Sequence, residues 1–301
     1  MTGRVLVTGA SGFIGRHAIP ELAERGYEIH AVSRRPLPGG VIHHLVDLAN
    51  DVQVRDMMRA VAPSHLLHLA WDVTPGAFWS SPANLDWVAS SLRLYRAFAE
   101  HGGRRAVFAG SCAEYDWSGG LLDEETTPLR PATLYGAAKC ALRDLIVRSA
   151  ETDGISIGWA RLFMLYGPHE REARLVPYVT RALLRGEPAL CGDGRAERDF
   201  MHVADVAAAL VTLLDSGYQG AVNIASGNCV ALAEIIATIA ALTGRGDLVR
   251  LGARPATAGE PFRLAAAATL LQQVGFRPRF RLTEGLANTV DWWRHELAAA
   301  P

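Results

Sequence analysis

The stretch Val5-Leu6-Val7-Thr8-Gly9-Ala10-Ser11-Gly12-Phe13-Ile14-Gly15 joins an apolar, strand-like run to three glycines at intervals of three, ahead of a segment with helical period. Its meaning lies in that order. A strand that turns sharply at Gly9 into a helix aims the unpaired N–H groups and positive dipole of the helix end at one spot; Gly12 admits close backbone approach to a pyrophosphate there, and Gly15 allows close packing of helix on strand. The stretch predicts a dinucleotide site on Gly9, Ser11, Gly12, Phe13, Ile14 and Gly15.

Outward from it, short β-branched runs alternate with longer helical ones. Strands are expected at Val5 to Thr8, Glu28 to Ser33, Ile42 to Val46, His65 to Leu69, Arg105 to Ala109 and Ser156 to Leu162, with helices at Gly12 to Arg25, Asp51 to Val61, Asn84 to His101 and Ala132 to Glu151. The last helix has Pro131 beside its first turn, where a missing N–H costs nothing. Such alternation predicts an α/β fold, a Rossmann-type doubly wound parallel sheet. After Tyr166-Gly167-Pro168 the composition shifts toward arginine, glycine and proline and the alternation breaks down, although Ala221 to Ala225 reads as a strand and Leu232 to Leu242 and Thr283 to Glu296 as helices. The expected division is a dinucleotide-binding domain over residues 1–163, rejoined by segments near 198–225, and a smaller mixed C-terminal substrate lobe over 164–301.

A ribose with a free 2′-hydroxyl calls for a carboxylate roughly 18 residues beyond the last glycine. The chain offers Ser33-Arg34-Arg35-Pro36 instead. Guanidinium suits a 2′-phosphate, so NADP(H) is favoured, with Arg34 the leading contact, and NAD(H) stays possible. Two solvated arginines at a strand exit are the other reading. Asp47 and Leu48, at the end of the third strand, are placed to meet the adenine edge.

Tyr135-Gly136-Ala137-Ala138-Lys139 lies in a predicted helix, so phenol and ammonium, four residues apart, share a face. An adjacent ammonium, with a cationic nicotinamide nearby, favours phenolate and brings the phenol toward the range of a useful acid or base. The fifth strand leads into Ser111. Its hydroxyl, at the carboxyl end of a strand that lines the ligand crevice, can hydrogen-bond the carbonyl oxygen that Tyr135 would protonate.

With 30 basic and 31 acidic side chains in 301 residues, no charge surplus points to a nucleic acid or a membrane surface. The longest apolar run, Val203 to Leu214, contains Asp205 and is far shorter than the roughly 20 residues of a spanning helix. The N-terminus lacks the pattern of a secretory signal, and Cys112, Cys140, Cys191 and Cys229 form no C-x-x-C pair. A reduced cytoplasmic setting is expected.

Together, T-G-A-S-G-F-I-G, His68-Leu69-Ala70, Ser111 ahead of Tyr135-x-x-x-Lys139, Arg161-Leu162-Phe163-x-x-Tyr166-Gly167-Pro168 and Arg198-Asp199-Phe200-x-x-Val203-x-Asp205 span nearly the whole chain. In these the sequence resembles the extended short-chain dehydrogenase/reductase superfamily, in particular its nucleotide-sugar branch of epimerases, dehydratases and ketoreductases. The resemblance implies that Ser111 and Tyr135 bind and protonate a sugar carbonyl, that Lys139 holds the nicotinamide ribose, and that Leu69 and Ala70 line the cofactor crevice. It also implies that Arg198, with Arg195 or Arg254, grips a nucleoside diphosphate, and that a homodimer forms through the Asn84 to His101 and Ala132 to Glu151 helices.

Departures from the family patterns narrow the chemistry. Where the 4,6-dehydratases carry a hydroxyl-Asp-Glu triplet, this chain reads Cys112-Ala113-Glu114, and alanine cannot protonate a leaving hydroxyl. Fucose-synthase-like members pair a cysteine with a histidine; here Cys112 falls one position from that cysteine and Arg174 replaces the histidine, both kept as substrate-contact candidates. Met164 stands in place of the asparagine of N-x-Y-G-P. His169 is a loop histidine without an evident partner, and Trp71, Trp79, Trp87 and Trp117 suit either a sugar pocket or the core. The expected activity is NADPH-dependent reduction of a nucleotide-linked 4-keto-(6-deoxy) sugar. The alternatives are an NAD-dependent nucleotide-sugar 4-epimerase that recycles its cofactor and a non-catalytic NAD(P)-binding sensor or subunit.

Overall fold

The computed structural model of the chain describes residues 3–33, 40–255 and 261–299. In chain order they form β1 (Arg4–Thr8), α1 (Gly15–Glu24), β2 (Glu28–Val32), β3 (Ile42–His44), α2 (Asp51–Val61), β4 (His65–His68), α3 (Ala83–Glu100), β5 (Arg105–Ser111), β6 (Leu121–Leu122), α4 (Leu134–Asp153), β7 (Ser156–Leu162) and β8 (Met164–Tyr166). There follow α5 (Leu175–Arg185), β9 (Ala189–Leu190), β10 (Glu197–His202), α6 (Val203–Asp215), β11 (Gly220–Ile224), β12 (Cys229–Ala231), α7 (Leu232–Thr243), β13 (Val249–Arg250), β14 (Arg263–Ala266), α8 (Thr269–Gln273) and α9 (Leu282–Ala299).

Seven strands make one parallel sheet in the order β11-β7-β5-β4-β1-β2-β3. Strand order reverses between β1 and β4, the position where such sheets open a crevice at their carboxyl ends. The central strands are buried on both faces; β5 is buried along its whole length. Ala18 and Leu22 of α1 and Val206, Leu210 and Leu213 of α6 cover one face. The other face carries Met58 of α2, Leu94 and Phe98 of α3, and Leu142 and Ile146 of α4. Arg105, buried at the start of β5, donates to the carbonyls of Leu214 and Tyr218 at 3.2 and 2.8 Å, so it ties the sheet to the carbonyl end of α6.

A smaller sheet, β12-β10-β14-β6 with β8 added to β10, stands over the crevice side, and α5, α7 and α9 share a second core of Val176, Val179, Leu183, Ile235, Ile239, Leu286 and Val290. The chain crosses between these regions more than once, because β10 leads straight into α6, which lies against α1 on the large sheet.

The predicted elements of the large sheet are all present; Asp51 to Val61 and Ser156 to Leu162 have the expected bounds, and the others have shifted ends. The first helix starts at Gly15 rather than Gly12, since 9–14 are spent on the glycine turn. The helix that carries Tyr135 starts at Leu134, with Thr133 as its cap accepting from Gly136 N at 3.1 Å, so Pro131 lies ahead of the cap and not in the first turn. Strand β3 ends at His44, before the expected Val46. The run Val203 to Leu214, considered only as a membrane segment, is the buried helix α6. Among the described residues no helix is long and apolar enough to cross a membrane.

Candidate active site

Strand β1 delivers the chain to Gly9, which takes φ +68°, and the loop folds so tightly that side chains are excluded. A Cβ on Gly15 would stand 2.3 Å from the Gly9 carbonyl oxygen, and one on Gly9 would stand 2.9 Å from Ala70 N. The following helix has no side-chain cap. A turn packed too tightly for any Cβ at Gly9 or Gly15, opening onto an uncapped helix N-terminus, fits the pyrophosphate of a dinucleotide. Ser11, Phe13 and Ile14 are half-buried on its rim. Opposite, Leu69 N and Ala70 N donate to Thr8 Oγ1 at 3.2 and 3.3 Å. The Thr8 hydroxyl therefore turns its proton to His68 Nδ1, 2.7 Å away; His68 Nε2 meets Ser91 Oγ at 2.9 Å, and Ser91 donates to Trp87 O at 2.7 Å. This relay fixes one neutral tautomer of His68, and burial, with the Lys139 charge nearby, holds that imidazole down at about 3.

At the far end of the crevice Ser33 is buried, its hydroxyl 2.9 Å from His43 Nε2. Arg34 and Arg35 lie outside the described residues. Asp47 and Leu48 do not end a strand. They belong to the loop before α2: Asp47 is exposed and accepts from Ala49 N at 3.0 Å, while Leu48 turns inward onto the core.

Strand β5 ends at Ser111, which opens a single 3-10 turn through Glu114. The Ser111 hydroxyl accepts from Ala113 N at 3.2 Å, and Ser111 N donates to Glu114 Oε1 at 2.7 Å. Helix α4 brings Tyr135 to the same point. Burial raises the Tyr135 phenol above its ordinary value, with a hydrogen bond from Ser111 and the charge of Arg174 acting the other way. One turn on, Lys139, the only lysine in the sequence, donates from Nζ to Ala109 O at 2.8 Å. Burial brings its ammonium down to about 7, against a raising contribution from Glu114. Ser111, Tyr135 and Lys139 are thus brought together, each buried.

The serine that meets Tyr135 is Ser111, so a hydroxyl-Asp-Glu triplet would begin there, and its two acids fall on Cys112 and Ala113. This corrects the alignment that put Ala113 in the aspartate position. Neither replacement moves a proton at neutral pH, because burial pushes the Cys112 thiol up to about 12. Glu114 is turned away beneath the strand end, where its carboxylate accepts from Arg161 Nε at 2.9 Å and from Trp159 Nε1 at 3.0 Å.

Around Tyr135 stand rings the sequence left undecided. Phe78, Trp79 and Trp71 meet the phenol edge-on, with centroids at 4.9, 5.8 and 6.2 Å, and Trp117 meets Trp79 at 6.2 Å. Trp87 stays behind them, stacked on Trp71. Phe78 was not foreseen. Arg174 lies over the Phe78 ring at 5.7 Å, which brings it to the tyrosine side of the site. Arg198 is buried near Cys112, with Nη1 donating to Glu197 O and Phe262 O at 2.8 and 3.1 Å. Arg254 is exposed over the Tyr178 ring at 4.4 Å, and Arg195 faces Asp193 in solvent. His169, exposed, leans on Trp292 with centroids 4.6 Å apart, away from the tyrosine.

Residues 5–225 match the model of the NAD dependent epimerase/dehydratase family. A solved structure of MoeE5 in complex with UDP-glucuronic acid and NAD is 35% identical, covers 98% of this chain and 100% of its own, and superposes with a TM-score of 0.85. A dTDP-glucose 4,6-dehydratase of Streptomyces niveus is 27% identical over 98% of this chain and 94% of its own length. A dTDP-4-dehydro-6-deoxy-D-allose reductase of Streptomyces bikiniensis is 28% identical over 97% and 96%. With its glycine cradle, its parallel sheet and a family match over well beyond half its length, the chain belongs to the NAD dependent epimerase/dehydratase family, within the extended short-chain dehydrogenase/reductase superfamily.

Proposed function

We propose that this chain is an enzyme that reduces the C4 ketone of a nucleotide-linked 4-keto-(6-deoxy) sugar, with NADPH as the favoured donor. The observation that carries the reading is the isolation of one proton donor: among the described residues, the stretch after Ser111 offers Tyr135 no second acid, since it reads Cys112, Ala113 and a Glu114 already committed to Arg161. Elimination of water and epimerisation beside a ketone each need further groups that move protons. Hydride transfer at one carbon needs one.

The reduced nicotinamide supplies the hydride when bound. Gly9, Ser11, Gly12, Phe13, Ile14 and Gly15 would hold its pyrophosphate, and Leu69 and Ala70 would flank it. Tyr135, kept as the neutral phenol by burial, gives its proton to the ketone oxygen while the Ser111 hydroxyl stabilises the developing alkoxide. The charge left on Tyr135 falls beside the Lys139 ammonium. Arg198 and Arg254 supply cations for the diphosphate side, Arg174 contacts the sugar beside Tyr135, and the relatives named for reductase activity on a 4-keto-6-deoxy sugar support the substrate class. Arg34 and Arg35, in place of an acidic strand end, support NADPH.

The NAD held by MoeE5 favours a second reading, a nucleotide-sugar 4-epimerase with recycled cofactor. Absorbance at 340 nm with NADPH, NADH and a panel of nucleotide-linked 4-keto-6-deoxy sugars separates the two. Stoichiometric NADPH loss supports the reductase; interconversion of UDP-sugar C4 isomers with no net cofactor loss replaces it with the epimerase.

A further inference from the structure

Trp71 follows β4 at the mouth of the crevice, and the first turns of α3 fix it from two sides. Its indole Nε1 donates to Asn84 Oδ1 at 2.9 Å, and its ring stacks on Trp87 with centroids 6.0 Å apart and planes at 26°. Asn84 is itself buried, and its amide is spent on the carbonyls of Phe78 and Ser81 at 2.8 and 2.9 Å. The ring so held presents its face to Lys139: Nζ lies 3.6 Å from the Trp71 centroid.

That ammonium is buried with little else to sustain its charge. Among the described residues its hydrogen bond goes to the Ala109 carbonyl and no carboxylate pairs with it. The groups facing it are few. On its own helix stands the Tyr135 ring, 5.8 Å from Nζ. From the turn after β5 comes Glu114, itself bound to Arg161 of β7 and Trp159, and from β4 comes His68, neutral in its relay. We propose that Trp71 is a positioning residue whose indole face stands in for a counter-ion, holding the Lys139 ammonium charged over the Ala109 carbonyl and beside Tyr135. The inference rests on the reading of Tyr135 as the proton donor, since the ammonium's use is to offset the phenolate that forms there. A quadrupole facing a desolvated cation is the strong form of this contact.

The composition makes the test direct, because Lys139 is the only lysine among 301 residues. Full-length protein grown with lysine carrying ¹³C at Cε gives a single side-chain resonance, whose shift against pH reads the ammonium without substrate or turnover. In Trp71→Leu, which keeps an apolar cover and removes the π face, the midpoint falls by about half to one pH unit, a three- to tenfold loss of the charged fraction. In Trp71→Phe most of that shift is recovered. Should an active sugar be found, the alkaline limb of kcat falls in the same order. An unchanged or raised midpoint in Trp71→Leu, or an equal fall in Trp71→Phe, overturns the proposal. If the resonance behaves as expected and no carbonyl sugar is turned over, the functional reading falls while the Trp71–Lys139 contact stands.

Discussion

The Glu114 carboxylate and the Arg161 guanidinium meet at 2.9 Å directly under the end of the strand that carries Ser111, with both side chains almost wholly removed from water. The pair is also wired to the site: the other carboxylate oxygen accepts from Ser111 N at 2.7 Å, and Arg161 Nη1 donates to Tyr115 Oη at 2.8 Å. Removal of one partner leaves a buried charge without compensation, a loss of roughly 3–5 kcal/mol, whereas removal of both with apolar replacement is far milder. Glu114→Gln is expected to lower the unfolding free energy by that amount, read as a lower urea midpoint, and to loosen Ser111. Adding Arg161→Met should restore most of the stability. Equal midpoints for Glu114→Gln and the parent would show that the pair contributes nothing.

A glycine inside a helix ordinarily costs up to about 1 kcal/mol relative to alanine. Gly136 reverses the sign. A Cβ there would stand 2.2 Å from the Ala113 carbonyl oxygen and 2.9 Å from Pro131 Cβ, because the first turn of α4 presses on the turn that follows Ser111. Gly136→Ala must push the Tyr135 helix away from Ser111. It should lower Tm despite its better helix propensity and reduce turnover at least tenfold; a higher Tm with full activity would show that the two turns can separate freely.

Glu170 gives a pH signature independent of turnover. It is nine-tenths buried, its Oε2 has no hydrogen-bond partner among the described residues, and burial pushes its carboxyl up to about 8 against the opposing charge of Arg174. Between about 4.5 and 8 the folded chain keeps a proton that the unfolded chain releases, so stability falls as pH rises through that window. The full effect is on the order of 4 kcal/mol at the top of it. Glu170→Gln should flatten Tm between pH 5 and 8 and exceed the parent at pH 8. Parallel Tm curves for the two proteins would mean that Glu170 ionises freely in the fold.

What the sequence made legible was local. The glycine loop and the Tyr135 to Lys139 spacing each encode their geometry within one turn and one helix, so their placement follows from residue order. Helix α6 was not legible as a helix, because Val206, Ala209, Leu210 and Leu213 are buried all round and leave no polar stripe to reveal a 3.6-residue period. Glu114 pairs with a residue 47 positions away, and Phe78 reaches Tyr135 from a loop; no local pattern announces either contact. One signal was present but unread: a chain that uses arginine for every other cationic side chain spends its single lysine at position 139. Arginine holds its proton too firmly for a site that adjusts charge beside a phenol.

Tyr135 and Ser111 are expected to fail in different ways. Tyr135→Phe removes only the hydroxyl and keeps the ring that Phe78 and Trp79 pack on edge. It should cost 10²- to 10⁴-fold in kcat, the usual yield of a positioned acid, with cofactor affinity and Tm close to the parent. Ser111→Ala removes a donor to the developing alkoxide, with an expected loss of about 10²- to 10³-fold. It also removes the hydroxyl that caps Ala113 N, so it should reduce stability by about 1 kcal/mol as well. Nucleotide binding followed by NADPH fluorescence, beside turnover and thermal melts on the same preparations, tells these apart. Parent-like turnover in Tyr135→Phe would remove the phenol from the chemistry and leave the Ser111 hydroxyl as the one remaining donor at the ketone oxygen.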